Sequence, residues 1–320
     1  MNLTRTMRVE STKPEADGVK SLRLVCPEGS GLPAWTPGSH IELTLPSGLI
    51  RQYSLCGDPS DANGYDIAVL REANGRGGSV EVHDVLVSEA SVGVRGPINR
   101  FPLQDAPEYL FIAGGIGITP ILPMVREAKR RGVNWTLVYG GRARSSMAFS
   151  APLSDASSGN VSIVPEDELG RMDVAQILDA AAPGTAVYCC GPSGLITSVG
   201  DACAERGLGF NFERFQADPD AERRTPDAAE AFRSFEVELL KTGKVLPVAE
   251  DQSILEAVRE VIPDVASSCE DGFCGSCETA VIAGIPEHHD SILSDSERAK
   301  GDTMMICVGR SRSNRLVLNL

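Results

Sequence analysis

Cys269-Glu270-Asp271-Gly272-Phe273-Cys274-Gly275-Ser276-Cys277 spaces three cysteines as Cys-x4-Cys-x2-Cys, and a fourth, Cys307, follows thirty residues later. Three thiolates from one tight loop and one from a distant strand can surround two irons; this spacing is the plant-type [2Fe–2S] ligand pattern. Gly272 and Gly275 let the loop turn closely around a cluster and aim its amides at the sulfurs. A structural zinc site is the competing use of four cysteines, although zinc modules usually supply ligands in pairs rather than as three together plus one. A Rieske centre would need two histidine ligands, and the paired His288-His289 stand outside any Cys-x-His pattern. Asp290 beside them suggests a two-histidine, one-carboxylate iron site, but three consecutive residues do not converge easily on one ion. An exposed turn is expected there, and no oxygenase centre in this chain.

Outward from that loop, residues 235–320 read as a compact α+β module. Phe235 to Leu240 and Val245 to Val248 flank Thr242-Gly243 as a hairpin, and Ser253-Ile254-Leu255-Glu256 is a capping box opening a short helix. Residues 216–234 are polar, charged and poor in bulky apolar side chains, the composition of a linker. Cys269, Cys274, Cys277 and Cys307 crowd the last fifth of the chain, whereas the other five of nine cysteines are scattered. In a reducing compartment such crowding reads as metal binding before disulfides; Cys26, Cys56, Cys189 and Cys203 read as packing.

The whole chain, 320 residues with 42% hydrophobic and 23% charged residues, has room for two or three domains with cores of their own. A net charge of −14 disfavours binding to a phosphate backbone, so no nucleic-acid partner is expected. No apolar run has the length of a membrane span and the first residues lack the apolar core of a signal peptide, so the expectation is cytoplasmic, with no membrane partner.

Residues 1–104 read as short strands with turn signals, for example His40 to Leu45, the turn Pro46-Ser47-Gly48, and Ile50 to Leu55. That pattern predicts a small antiparallel barrel, with closing turns at Gly93 and Gly96-Pro97. From Tyr109 apolar strands alternate with helical periodicity: Tyr109 to Ala113, a helix from Pro120, Trp135 to Tyr139, Val174 to Leu178, and Ala186 to Cys190. The alternation predicts a parallel sheet over residues 105–215. Thr119-Pro120 fits a helix start, Thr capping free amides and Pro losing no hydrogen bond at the first helical position.

Arg51-Gln52-Tyr53-Ser54-Leu55 has the form Arg-x-Tyr-Ser, which resembles the flavin signature of the ferredoxin-NADP reductase superfamily. Arg51 offers a forked donor to a phosphate, Tyr53 an aromatic face and Ser54 a hydroxyl; alone, the segment could equally be an ordinary half-buried strand. Gly75-Arg76-Gly77-Gly78-Ser79 is a glycine-rich turn opening a helical stretch, where free amides suit a phosphate, and its form resembles the FMN-binding members. Gly114-Gly115-Ile116-Gly117-Ile118-Thr119-Pro120 follows a strand and enters a helix, so its amides can approach a pyrophosphate; it differs from Gly-x-Gly-x-x-Gly because Pro120 holds the third glycine position. It resembles the superfamily's Gly-Gly-x-Gly-x-Thr-Pro loop, as Cys190-Gly191-Pro192 resembles its nicotinamide-site motif, with Cys190 and Thr119 near the nicotinamide. Cys190 ends an apolar strand and could be packing alone. Arg142 and Arg144 with Ser145-Ser146 stand where the superfamily holds the adenosine ribose, suiting the 2′-phosphate of NADPH or a solvated turn beside NADH; family habit leans to NADH. Phe215 resembles the aromatic residue placed over the flavin, or is core.

The order of flavin barrel, nucleotide domain, linker and ferredoxin module (1–104, 105–215, 216–234, 235–320) resembles the phthalate dioxygenase reductase family, to which vanillate demethylase reductases belong. The resemblance implies an NADH-dependent oxidoreductase with FMN and a [2Fe–2S] cluster, delivering single electrons to a Rieske-type non-haem iron oxygenase that acts on an aromatic acid or related small molecule. A cytochrome P450 or another acceptor is the alternative partner, and a redox sensor the alternative class.

Overall fold

Strands β1 (Arg5–Ala16), β2 (Val19–Val25), β3 (Ser39–Thr44), β4 (Ile50–Ser54) and β5 (Gly64–Leu70), helix α1 (Gly78–Val85) and strand β6 (Ser91–Asn99) make up the first lobe of the computed structural model. The model describes residues 4–27, 29, 31–151, 153, 160–216 and 233–320. The strands pair antiparallel in the order β4-β3-β6-β1-β2-β5, and a bridge between Leu55 and Ile67 joins the two ends, closing a barrel. Alternate residues of the β3 segment, Ile41, Leu43 and Leu45, enter one core with Leu22, Leu24, Ile67 and Val94, as the period of two requires. Helix α1 plugs that core with Val82, followed by Leu86.

Gly93 and Gly96-Pro97 are not turns. Strand β6 runs through them, and its pairing with β3 shifts register between His40 and Glu42. Gly96 and Pro97 together stand opposite Ile41 as a bulge, which tolerates a residue with no N–H to donate.

The second lobe contains β7 (Glu108–Gly114), α2 (Ile118–Arg131), β8 (Asn134–Gly141), β9 (Val161–Pro165), α3 (Glu166–Leu169), α4 (Val174–Asp179), β10 (Ala186–Cys190), α5 (Ser193–Arg206) and β11 (Gly209–Glu213). Its sheet is parallel, in the order β11-β10-β7-β8-β9, so all five strands point their C-terminal ends at one edge, where an α/β sheet binds ligands. The apolar stretch Val174 to Leu178 is helical, started by the Asp173 carboxylate, which accepts from Gln176 N at 3.0 Å. Thr119 does not cap α2. Its hydroxyl donates to Ile116 O at 3.0 Å, and the helix already begins at Ile118; Pro120 is the third helical residue, still within the turn whose N–H groups have no partner.

Residues 1–214 form one compact unit and residues 215–320 another. The step between residues 104 and 105 lies inside the first unit, where Arg126 of α2 donates through Nη1 to the carbonyls of Cys56 (2.7 Å) and Gly57 (2.5 Å) on the barrel. Tyr188 OH accepts from Gln104 N at 2.8 Å and donates to Pro102 O at 3.2 Å, fastening the connecting segment to β10.

The second unit comprises β12 (Phe235–Leu239), β13 (Lys244–Val248), α6 (Ile254–Arg259), β14 (Glu278–Ala283), β15 (Pro286–Glu287), α7 (Asp295–Lys300), β16 (Thr303–Met305), β17 (Arg310–Ser311) and β18 (Arg315–Leu318). The main sheet, ordered β13-β12-β18-β14-β16, is mixed: β12 and β18 are parallel, the other pairs antiparallel. Helix α6 packs Ile254, Leu255 and Val258 on Val237, Leu239 and Leu316, the α+β arrangement of a β-grasp module. Its capping box is formed by Ser253 and Glu256 in both directions. Most of the expected linker, residues 217–232, lies outside the described residues. Among the described residues no helix is long and apolar enough to cross a membrane.

Candidate functional site

Cys269, Cys274 and Cys277 line the loop between α6 and β14, and Cys307 follows β16. All four are buried and none is in a disulfide. Cys277 Sγ lies 3.2 Å from Cys307 Sγ, and the Cys269 thiol is in hydrogen-bond contact with those of Cys274 and Cys307. Backbone amides already aim at the sulfurs: Cys269 N and Ser276 N donate to Cys274 Sγ at 3.4 and 3.5 Å, and Asp271 N to Cys269 Sγ at 3.4 Å. Hydrogen bonds from neighbouring thiols hold Cys269 and Cys277 below the ordinary thiol range, while the donors Cys274 and Cys307 are pushed up. Four thiolates at this separation cannot all ionise unless a cation sits among them. Among the described residues no group of three or more His, Cys, Asp or Glu is arranged to hold a single metal ion; the all-sulfur set of three loop ligands plus one fits two irons instead.

Gly272 sits at φ +71°, and a Cβ there would lie 2.6 Å from Val308 Cγ2 and 3.0 Å from Asp290 Cα. Behind the loop, the expected exposed turn at His288-His289-Asp290 is instead half-buried at the two histidines and buried at Asp290. Asp290 is 3% exposed, its Oδ1 accepts from Ile292 N and Leu293 N at 3.0 and 2.8 Å, and Ser291 N donates to Gly272 O at 2.9 Å. Polar residues enter the interior here because the Asp290 carboxylate caps the following backbone.

On the barrel, Arg51 of β4 lies against the bare backbone of Gly78 at the start of α1. Its Nη1 donates to Ile50 O at 2.8 Å and its Nη2 to Arg76 O at 3.0 Å. Gly77 leads into α1 with no side-chain cap, so a guanidinium and open helix amides converge, a set suited to a phosphate. Ser79 Oγ accepts from Glu72 N at 3.0 Å, bracing the Gly75–Gly78 turn. Tyr53 is half-buried, and desolvation raises its phenol well above the ordinary value. Leu55 is wholly inside the barrel core and its N–H is taken by Ser39 O, which leaves only its carbonyl for a ligand. Phe215, half-buried, opens the second unit.

Within the second lobe the two nucleotide motifs meet. A Cβ on Gly117 would stand 2.2 Å from Cys190 O, so only glycine allows the loop 114–117 to pass beside Cys190-Gly191-Pro192. Gly114 backs onto Gly191 and Pro192 in the same place. Cys190 is fully buried, and burial with Glu213 nearby drives its thiol well above the usual range, which favours the protonated form. Arg142 and Arg144 lie beyond β8, both exposed. Arg144 is held in a two-pronged pair by Glu168 of α3, Nε to Oε1 at 3.0 Å and Nη2 to Oε2 at 2.7 Å.

Glu213, at the end of β11, is a site residue that motif reading left out. Its Oε2 accepts from Ser54 Oγ at 3.4 Å, which joins the nucleotide lobe to the Arg-x-Tyr-Ser strand. The residue as a whole is only half-buried, yet its carboxyl loses enough water to be pushed up to about 8, the Ser54 hydrogen bond opposing this. A carboxyl held neutral near Ser54 and Cys190, where barrel and parallel sheet meet, can donate or hold a proton.

A barrel with an open helix start, a parallel sheet with two abutting glycine loops, and an all-sulfur loop in a β-grasp module together define a flavin-dependent, nicotinamide-linked electron-transfer oxidoreductase. Residues 111–201 match the oxidoreductase NAD-binding domain and residues 237–311 the 2Fe-2S iron-sulfur cluster binding domain. The phthalate 4,5-dioxygenase oxygenase reductase subunit of Pseudomonas putida is 40% identical, over 95% of this chain and 93% of its own. The crystal structure of phthalate dioxygenase reductase, described as a modular structure for electron transfer from pyridine nucleotides to [2Fe-2S], superposes with a TM-score of 0.73 at 35% identity over 99% of this chain and 98% of that one. An intact type IV self-sufficient cytochrome P450 monooxygenase superposes with a TM-score of 0.87 at 38% identity over 99% of this chain, but this chain spans only 41% of that longer one. The chain belongs to the phthalate dioxygenase reductase family, with FMN, a [2Fe–2S] cluster and a nicotinamide dinucleotide as its cofactors.

Glu213 gives the site a pH signature. Its folded-state value, about 8 against an ordinary 4.5, means that between these limits the native protein retains a proton the unfolded chain has lost. Its contribution to stability is therefore complete below the lower value and disappears as pH rises through the upper one. Urea denaturation of Glu213→Gln should show that decline flattened, by up to about 1.4 kcal/mol per pH unit. A variant whose stability falls with pH as steeply as the parent's would show that Glu213 is ionised throughout.

Proposed function

We propose that this chain is the reductase component of an oxygenase system, taking hydride from NADH and delivering electrons one at a time to a Rieske-type non-haem iron oxygenase. FMN bound at Arg51 and the α1 amides would supply two-electron acceptance with single-electron release, and a cluster held by Cys269, Cys274, Cys277 and Cys307 would supply one-electron carriage. The observation that carries the reading is the coexistence in one chain of the Gly117–Cys190 crossing, the Arg51–α1 phosphate cradle and the four-sulfur loop. The protein's part is placement. Arg51 and the α1 amides anchor a phosphate, Tyr53 offers its ring to an isoalloxazine, Gly114, Gly115, Gly117 and Pro120 admit a pyrophosphate, and Thr119, Cys190, Gly191 and Pro192 border the nicotinamide. Glu213 and Ser54 hold a proton at the ring junction. The proposed division of labour is a flavin domain over 1–104, a nucleotide domain over 105–215, a linker over 216–234 and a ferredoxin domain over 235–320.

The Rieske partner is supported by relatives named as reductase subunits of dioxygenases. Residues 235–320 carry 15 Asp and Glu against 8 Lys and Arg, a balance that suits steered encounter with a basic acceptor. A cytochrome P450 acceptor is the second reading, favoured by the fused P450 relative.

NADH is favoured over NADPH because the guanidinium best placed for a 2′-phosphate is already spent. Arg144 is neutralised by Glu168, with Glu166 and Asp167 in the same turn. Like charges beside a 2′-phosphate disfavour it. Glu168→Lys should raise the NADPH-to-NADH ratio of kcat/KM by about tenfold, the equivalent of one charge contact worth ~1.4 kcal/mol; an unchanged ratio would remove Glu168 from nucleotide selection.

Anaerobic titration of the holoprotein with NADH, followed in the visible, tests the reading as a whole. Flavin and cluster absorbance should both bleach in the parent, and in Cys307→Ser the flavin alone. NADH-dependent reduction of cytochrome c that persists in Cys307→Ser at the parent's rate would contradict the route through the cluster.

A further inference from the structure

Between the last turn of α7 and the β15–β17 ladder, the second unit opens a pocket of about 580 Å³ walled by His288, Arg298, Lys300, Arg312 and Glu287 among others. Three of the eight Lys and Arg of residues 235–320 thus face one cavity in a module rich in carboxylates. The other arginines of the module are engaged: Arg315 with Glu236 and Glu238, Arg259 with Glu270, Arg310 with the carbonyls of Gln252, Arg233 and Ala249. Lys300 and Arg312 are exposed and form no ion pair among the described residues.

The floor of the pocket holds buried polar atoms without hydrogen-bond partners, the donors of His288 and Arg298 and, behind them, the acceptor Asp290 Oδ2. The His288 side chain is 9% exposed, and neither ring nitrogen completes a hydrogen bond, although the Arg298 backbone is close by. The nearest charged atom is Asp290 Oδ2, 3.8 Å from Nδ1. Arg298 donates through Nη2 to Asp290 O at 2.5 Å and pairs with Asp290 Oδ1 at 3.8 Å, while its Nε is buried with no partner. The wall carboxylate, Glu287, stands 3.2 Å from His289 Nε2. Buried donors left unpaired cost free energy that a ligand bearing acceptors recovers.

We infer that this pocket is an oxyanion site that takes a carboxylate or phosphate group, with Lys300 and Arg312 at its mouth and the Arg298 and His288 donors at its base. A planar guanidinium fork and an ammonium are the donors such groups select. The base is continuous with the cluster loop through Ser291 N, which donates to Gly272 O, so a bound oxyanion would border the exit of the electron path. The site stands on residues that the reductase reading does not use.

The test is a titration of oxidised holoprotein with inorganic phosphate and with acetate, ionic strength held constant with sodium chloride, read from the His288 ring resonances. The expected result is a saturating shift that weakens at least tenfold in Lys300→Gln and in Arg312→Gln, with NADH-dependent cytochrome c reduction unchanged in both. Loss of electron delivery to the protein acceptor at saturating phosphate would assign the site to a carboxylate of that partner, and undisturbed delivery to a free oxyanion. A drift that never saturates, or equal affinity in parent and both variants, would overturn the inference.

Discussion

Like-charge repulsion among four buried sulfurs is the constraint around which the second unit is organised. Thiols in contact inside an apolar module can release all their protons only to a cation, and the loop is shaped in advance for that state: amides aimed at Cys269 and Cys274, a left-handed glycine at Gly272, and Asp290 wedged behind it. The core of α6 against β12 and β18 holds the loop's two ends, while Cys307 arrives from β16 on a separate stretch of backbone. Removing one ligand therefore removes a quarter of the charge balance and a tie between two parts of the module.

In the first unit the corresponding constraint is close approach of two backbones. The glycine loop after β7 must pass the end of β10 within a distance that no side chain on Gly117 permits. That crossing lies where the parallel strands end and where Arg126 and Ser54 reach across between the lobes. The junction brings together groups chosen for being uncharged: a buried thiol at Cys190 and a carboxyl at Glu213, both pushed up by desolvation. A hydride-transfer site profits from such a dry, neutral surround, since stray water or charge would compete for the transferred pair.

What could be read directly from the chain was whatever is local. The Cys-x4-Cys-x2-Cys loop, the capping box at Ser253 to Glu256 and the β3–β4 hairpin each depend on residues a few positions apart, and each has the expected form. Glu213 escaped because its meaning comes from Ser54, 159 residues away. Gly96-Pro97 carries the composition of a turn, yet long-range pairing with β3 keeps it within a strand as a bulge. His288-His289-Asp290 looked solvent-facing by polarity alone, yet Asp290 is buried, where it satisfies backbone amides next to a loop that needs support, and the two histidines are half-buried with it. Thr119 has a capping residue's chemistry, but its hydroxyl found a carbonyl at Ile116 one turn earlier. Strands β9 and β11, short and only partly buried, lacked the apolar run that marks their neighbours.

The central claim is that electrons entering as a pair at the Gly117–Cys190 crossing leave singly from the sulfurs of Cys269, Cys274, Cys277 and Cys307. Freeze-quench electron paramagnetic resonance of the anaerobic holoprotein mixed with NADH tests this most directly. The account predicts that the signal of the reduced cluster appears with NADH as sole donor, at least as fast as turnover with a one-electron acceptor. A cluster that stays silent during turnover, and becomes paramagnetic only with a strong chemical reductant, would contradict it.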